Sequence, residues 1–114
     1  MRKIFESGLR KKYYELIKSG IKTVECRLND SKRQQIDVGD YYIFSLEPER
    51  QEKIKTKVVN KKIYKNFLEL CEDILPADAG FESKDEMIKT YSELYSVTDQ
   101  NKNGVVAFFI KLEN

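Results

Sequence analysis

The sequence predicts an α+β fold, a small β-barrel or curled sheet with helices packed outside it. Residues that alternate between polar and apolar, as in strands, occupy several segments, and stretches with helical spacing separate them. The 114 residues, of which 40% are hydrophobic, are enough for one modest core in a single domain over residues 1–114. The predicted order of elements is β-α-β-β-β-α-α-β.

The first quarter of the chain contains both strand-like and helix-like spacing of apolar residues. Residues 2–7 are expected to form a short strand, and an amphipathic helix follows. Its apolar stripe consists of Leu9, Tyr13, Leu16 and Ile17. Gly20, just after this helix, is typical of a helix stop in which glycine takes the left-handed conformation. Residues 23–29 then alternate, which predicts a half-buried strand with one polar face.

Two further strands are predicted on either side of residue 50, over residues 41–46 and 53–63, after a polar loop at residues 30–40. The second of them begins a basic stripe made of Lys53, Lys55, Lys57, Lys61, Lys62 and Lys65. Such a stripe contacts phosphates in some proteins. In others it protects an edge strand from pairing with another chain. Both interpretations stay open at this point.

The C-terminal half contains two predicted helices. Asn66 with Glu69, and Ser83 with Glu86, match the pattern of a helix start, and Pro76 marks the end of the first helix.

The end of the chain is predicted to be a turn followed by a strand. Residues 99–104 match the first half of a calcium-binding loop, but the glutamate that such a loop needs at its twelfth position is Ile110. A polar turn is therefore expected there, followed by a final strand over residues 105–112.

Composition and charge exclude several classes of function. With 21 basic and 19 acidic residues the net charge is +2, so binding to nucleic acid requires local clustering of the basic residues. Without histidine, and with Cys26 and Cys71 among apolar neighbours, we expect buried reduced thiols, no metal site and no cofactor. The chain has neither an apolar run long enough for a membrane span nor the apolar segment of a signal peptide, so the cytoplasm is expected.

One short segment concentrates the chemistry. Gly20, Lys22, Glu25 and Arg27 fit the pattern G-x-K-x-x-E-x-R directly after the first helix. This pattern resembles the signature of the ASCH domain family, a branch of the PUA-like proteins. The turn at residues 38–40, the paired C-terminal helices and the closing strand follow in the order of that family, so the resemblance covers nearly the whole chain. It implies a PUA-like β-barrel and, as in the family generally, binding of RNA.

The motif residues suit the recognition of a nucleotide. Thr23, Glu25 and Arg27 are two positions apart on a predicted strand, so their side chains share one face. Arginine binds phosphate or stacks on a base, and glutamate accepts from a base amino group or orients the arginine. Lys22 has the other parity, and whether it reaches the cleft from a turn stays open. The competing interpretation is a surface ion pair worth ~0–1 kcal/mol.

Aromatic residues add candidates for base stacking. Tyr95 lies just beyond the apolar stripe of the last predicted helix and is the candidate for the cleft. Tyr13 and Tyr91 lie on apolar stripes and are expected to pack in the core.

Three functions follow as hypotheses. The first is a binding module for RNA or a modified nucleoside, a ligand contacted by Lys22, Thr23, Glu25, Arg27 and Tyr95. The second is a hydrolase, either a ribonuclease or an amidohydrolase for acetylated cytidine, with Lys22 stabilising negative charge and Glu25 acting as acid or base. The third is an interaction domain for partners other than nucleic acid, which an apolar exposed face would indicate. The sequence indicates no oligomeric state.

The resemblance also argues against one form of the second hypothesis. The amidohydrolase branch implies a lysine, a threonine three residues later and a glutamate from the last helical region. Lys22 matches the lysine, but Glu25 occupies the threonine position, and Thr23, on the same strand face as Glu25, is the substitute candidate. Glu82 and Glu86 are the candidates for the glutamate.

Overall fold

The computed structural model describes residues 2–113, and its strands form one curled, mixed sheet. They are β1 (Ile4–Leu9), β2 (Val24–Leu28), β3 (Tyr41–Leu46), β4 (Lys53–Tyr64) and β5 (Val105–Leu112). The order across the sheet is β1-β3-β4-β5-β2, with β1 and β3 parallel and the other neighbours antiparallel. The sheet forms a half-barrel with helices around it, which confirms the predicted α+β class.

Five α-helices and a short 3-10 turn pack around this sheet in residues 2–113. They are α1 (Lys11–Lys18), α2 (Ser31–Gln34), α3 (Phe67–Asp73), the 3-10 turn Pro76–Ala79, α4 (Lys84–Leu94) and α5 (Val97–Asn103). None of the helices in this part of the chain is both long and apolar enough to cross a membrane.

The two helix starts predicted in the C-terminal half are confirmed. The Asn66 side chain accepts a hydrogen bond from the Glu69 amide at 2.9 Å, and the Ser83 hydroxyl accepts one from the Glu86 amide at 3.1 Å. The Glu86 carboxylate completes the second cap by accepting from the Glu82 amide, one residue before the serine. Both caps satisfy amides that the first helical turn leaves unpaired.

Two helices replace predicted loops. Residues 97–103 form α5 instead of a polar turn, because the Ser96 hydroxyl caps the Asp99 amide at 3.0 Å and Gln100 is buried. The Gln100 side chain accepts from the Phe67 amide at 2.9 Å, which attaches α5 to α3. Within the predicted loop 30–40, Asp30 caps the Arg33 amide and starts α2.

The first strand and helix differ from prediction in register. β1 continues to Leu9, so Leu9 belongs to the sheet, and α1 begins only at Lys11. The buried face of α1 is formed by Tyr14 and Ile17, while Tyr13 is half-buried. Tyr13 is thereby left at the border of the core, where it can face a pocket.

The core consists of two hydrophobic clusters that meet at β5. One lies between β2, β5 and the C-terminal helices, and it includes Cys26, Phe67 and Tyr91. The other lies under α1 inside the half-barrel, around Tyr42 and Phe108. β2 is therefore buried from Val24 to Cys26, and the half-exposed polar face predicted for it is wrong. Both cysteines are buried and free, as expected.

The lysine-rich strand β4 lies inside the sheet. It pairs with β3 on one side and β5 on the other, so the interpretation of its lysines as protection for an edge is wrong. The edges of the sheet are β1 and β2, and the G-x-K-x-x-E-x-R motif runs along the second of these.

Candidate functional site

A pocket of about 210 Å³ opens between β1, β2 and the C-terminal end of α4. Its aromatic lining comes from Tyr13, Phe81, Tyr91 and Tyr95. The charged part of its lining comes from Lys22, Glu25 and Arg27 of the motif. Sites for drug-sized ligands have about 300–1,000 Å³, so this pocket suits a group of the size of a single ring.

Glu25 is the centre of a buried ion-pair network. Its Oε1 lies 3.1 Å from Lys22 Nζ, and its Oε2 accepts from Arg27 Nε at 2.8 Å. Burial alone would raise the pKa of Glu25, but the positive charges of Lys22 and Arg27 outweigh it and hold the pKa below its ordinary value. Glu25 is therefore a carboxylate at neutral pH and serves as an acceptor.

Lys22 lies at the base of the pocket with every donor in use. Its ammonium group donates to the Val24 carbonyl at 2.6 Å and the Ala79 carbonyl at 2.9 Å, besides its pair with Glu25. A lysine has three N–H donors, so these three partners saturate it. The side chain is only 3% exposed and connects β2 to the 3-10 turn. Its contacts assign Lys22 a structural and electrostatic role.

Arg27 combines a fixed position with unused donors. Its Nε donates to Glu25, and its Nη2 donates to the Gly8 carbonyl of β1 at 3.3 Å. Burial would lower the pKa of Arg27, but the Glu25 charge raises it above its ordinary value, so the guanidinium stays charged. Of its five N–H groups, three make no hydrogen bond within residues 2–113, and 21% of the side chain is exposed.

Stacking holds the aromatic lining in place. Tyr95 and Tyr91 both stack on Phe67, with ring centroids 4.9 Å and 4.3 Å from it, and Phe81 packs edge-on against Tyr91 at 5.4 Å. Tyr91 is buried in the core as predicted and also borders the pocket, as does half-buried Tyr13. Burial raises the pKa of Tyr95, so its phenol remains protonated at neutral pH.

The structure places Thr23 outside this pocket. The residue is exposed and borders a separate hollow with Ile110 and Leu112. β2 begins at Val24, and the Thr23 amide donates to the Asp78 carbonyl at 2.9 Å, so the strand alternation does not extend to Thr23.

The two glutamates considered for hydrolysis also lie elsewhere. Glu86 pairs with Lys12 at 3.1 Å, and neither it nor Glu82 lines the pocket. Besides Glu25, the acid that lines the pocket is Glu47, which follows β3 and which no sequence pattern indicated. No sequence pattern indicated Gly8 either. The spacing of four between Tyr91 and Tyr95, in contrast, is a signal that both face one side of a helix.

The cysteine that lines the pocket is not an activated nucleophile. Burial raises the pKa of Cys26, the cysteine in its lining, to about 12, so this side chain stays a thiol. Within residues 2–113, no group of three or more His, Cys, Asp or Glu side chains is arranged to bind a metal ion.

Gly80 shapes the base of the pocket and provides a test of it. Its φ is +93°, and a Cβ there would lie 3.1 Å from Lys22 Cδ. Gly80→Ala is expected to reduce the free energy of unfolding by more than the roughly 1–2 kcal/mol of left-handed strain. Gly39→Ala is the matched control, because its φ is +98° and a Cβ there meets no atom within 4 Å. Urea unfolding measures both, and equal losses would contradict the close contact with Lys22.

Comparison with protein-family models gives a match to the ASCH domain over residues 8–113. None of the curated proteins compared with the chain matches it.

Three solved structures are similar to the chain. The crystal structure of hypothetical protein PH0355 is 36% identical, with a TM-score of 0.81 over 96% of this chain and 99% of that one. The solution structure of PF0455 from Pyrococcus furiosus is 34% identical, with a TM-score of 0.65 over 96% of both chains. The crystal structure of ASCH from Zymomonas mobilis is 16% identical, with a TM-score of 0.72 over 97% of this chain and 68% of that one, and it supports the fold alone. With the family match and this fold, the chain belongs to the ASCH domain family.

Proposed function

We propose that the pocket binds one nucleobase of RNA or of a modified nucleoside. The observation that carries this proposal is Arg27, which Glu25 holds in the pocket with unused N–H donors, in a lining that also includes the Tyr95 ring. A base presents flat faces for an aromatic ring and edge acceptors for a guanidinium. The volume of about 210 Å³ suits one base and is too small to enclose a base pair.

Each motif residue then has a distinct part. Arg27 contacts the ligand, because it alone of the three has unused donors within residues 2–113. Glu25 fixes the plane of the guanidinium through the 2.8 Å bond to Nε. Lys22 balances the charge of Glu25 from the side of the 3-10 turn. The general association of the ASCH family with RNA supports the same class of ligand.

The contacts favour binding over hydrolysis. A catalytic Lys22 would need a free N–H, and its three donors are occupied. An acid at Glu25 would need a raised pKa, and the pKa is lowered. The position where the amidohydrolase branch has threonine is filled by Glu25, which is engaged with both cations.

The apolar surface that the third hypothesis requires lies elsewhere. A groove between α3, α4 and α5 is lined by Phe67, Leu68, Ile88 and Val97 among others. It shares no lining residue with the motif pocket. A protein contact there and a nucleotide in the pocket are therefore compatible.

Tyr95→Ala tests the stacking part of the proposal. Stacking on an aromatic side chain contributes about 1–3 kcal/mol per base, so Kd for single-stranded RNA is expected to rise roughly 5- to 140-fold. Tyr95→Phe retains the ring and should bind within a few-fold of the wild type.

The matched control is Tyr41→Ala, which removes a tyrosine from β3 that does not line the pocket. Fluorescence anisotropy with a labelled single-stranded RNA pool measures all four proteins. Equal losses in Tyr95→Ala and Tyr41→Ala, or no loss in either, would contradict stacking in the pocket.

A further inference from the structure

We propose that Lys32 and Arg33, which converge on Ser7 beside the pocket, bind a phosphate group of the ligand. The inference rests on the proposed function for the identity of the ligand, which becomes a nucleotide or RNA instead of a free nucleoside. The anion site itself stands on the following contacts and is testable without any base.

Both cations reach Ser7 from the short helix α2. Arg33 Nη2 donates to the Ser7 hydroxyl at 3.0 Å, and Lys32 Nζ lies 3.5 Å from the same oxygen. Lys32 also donates to the Glu6 carbonyl. Ser7 is 4% exposed, and its hydroxyl is within 2.8 Å of the Tyr42 hydroxyl, which fixes its position. Two cationic groups and a hydroxyl thus lie close together, and these are the kinds of donor that phosphate sites use.

The cluster has fewer negative than positive charges. Arg33 pairs with Asp30 at 3.1 Å, and Arg50 pairs with Glu6 at 3.4 Å. Lys32 makes no ion pair with any carboxylate of residues 2–113. A bound anion would therefore supply the negatively charged partner that Lys32 lacks.

Two further observations support an excess of unpaired donors and positive charge at this cluster. Burial lowers the pKa of Lys32, and the like charges of Arg33, Arg27 and Arg50 lower it further. In addition, Arg33 Nε is buried and has no hydrogen-bond partner among the described residues. Unpaired buried donors are rare because each costs free energy, so the hydrogen-bonding capacity of the Arg33 guanidinium is only partly satisfied within the described residues.

The cluster and the pocket both include residues of β1. Gly8, the residue after Ser7 on β1, gives its carbonyl to Arg27 Nη2 at 3.3 Å and lines the pocket. The anion site and the base site are thus adjacent on one strand. A nucleotide, in which a ribose separates phosphate from base, has the shape to occupy both.

Inorganic phosphate tests the anion site directly. Titration into ¹⁵N-labelled protein at constant ionic strength should give saturable shifts at the Ser7, Lys32 and Arg33 amides. Lys32→Ala is expected to weaken this binding by about 5-fold or more, since it removes a charged donor. Lys89→Ala removes the same charge from the exposed side of α4 and should bind phosphate like the wild type. Shifts that do not saturate, or that Lys32→Ala leaves unchanged, would overturn the proposal.

A second titration separates this site from the proposed function. Cytidine, cytidine 5′-monophosphate and a single-stranded oligoribonucleotide without terminal phosphate are compared on wild type and Lys32→Ala. The site is supported if a phosphate-bearing ligand binds more tightly than cytidine and this gain in affinity is lost in Lys32→Ala. A gain for the monophosphate identifies a terminal phosphate as the source, and a gain for the oligomer identifies a backbone phosphate. Nucleoside binding without that gain would sink the anion site and leave the base pocket intact. Binding of the monophosphate that depends on Lys32 but causes no shift at the Arg27 amide would retain the anion site and contradict the base pocket.

Discussion

Lys22→Met is expected to reduce the free energy of unfolding by about 3–5 kcal/mol, the cost typical of breaking a buried ion pair from one side. The substitution leaves Glu25 with Arg27 as its remaining cation and leaves the Val24 and Ala79 carbonyls without their donor. Methionine fills a similar volume, so the loss reports the charge and hydrogen bonds. Urea unfolding of the purified variant provides the measurement.

A double-mutant cycle identifies the cause of that loss. Glu25→Gln should also destabilise strongly, because it leaves two neighbouring cations without a carboxylate. The variant with both Lys22→Met and Glu25→Gln should lose less than the sum of the two. Lys18→Met is the control, since Lys18 pairs with Glu52 at 3.2 Å with both side chains more than half exposed and should lose at most about 1 kcal/mol. A loss of that size for Lys22→Met, or strict additivity, would contradict the buried network.

The same network predicts a pH dependence. The pKa of Glu25 is lower in the folded protein than its ordinary value, so its contribution to stability is complete above the ordinary pKa, about 4.3. As the pH falls from there through the lowered pKa, that contribution is lost. Glu25→Gln has no such group, so its stability should fall less steeply below pH ~4.3 than that of the wild type.

Arg27→Ala should weaken the binding of single-stranded RNA or nucleoside by roughly 10- to 150-fold. The reason is that hydrogen bonds from a charged group contribute about 1.5–3 kcal/mol each. The side chain presents unused donors to the pocket, and Glu25 holds it in one orientation. Arg27→Lys should recover part of the binding at most, because lysine keeps the charge without the planar pair of donors.

The controls for Arg27 separate binding from charge and folding. Arg2→Ala removes the same charge from an exposed arginine that bonds to Tyr41 outside the pocket. Circular dichroism and urea unfolding establish that Arg27→Ala is folded under the binding conditions, since it removes one partner of Glu25. Similar affinities for Arg27→Ala and Arg2→Ala would contradict the place given to Arg27.

The elements that local patterns specify were predictable. Tyr41–Leu46 and Val105–Leu112 form strands as their apolar runs indicated, and the Asn66 and Ser83 caps start helices as their spacing indicated. α5 was missed because its residues match a calcium-loop pattern. Its stability depends on the Ser96 cap and on the contact between Gln100 and Phe67, which joins residues 33 positions apart.

The pocket was only partly predictable, because it too depends on contacts between residues far apart in the sequence. The motif indicated Arg27 and Glu25, and helix position indicated Tyr95. The burial of Lys22 depends on the Ala79 carbonyl, 57 residues away, and no local pattern reports such a contact. The interior place of β4 depends likewise on its pairing with β3 and β5, which its own lysines do not reveal.

The most direct test is titration of a labelled single-stranded RNA pool with wild type, Arg27→Ala and Arg2→Ala at about 50 and 200 mM salt. The products are run on a denaturing gel. We expect wild type and Arg2→Ala to bind alike, Arg27→Ala to bind at least about tenfold more weakly at both salt concentrations, and the RNA to stay intact. Equal binding by all three proteins, or Arg27-dependent cleavage of the RNA, would contradict a binding pocket built around Arg27.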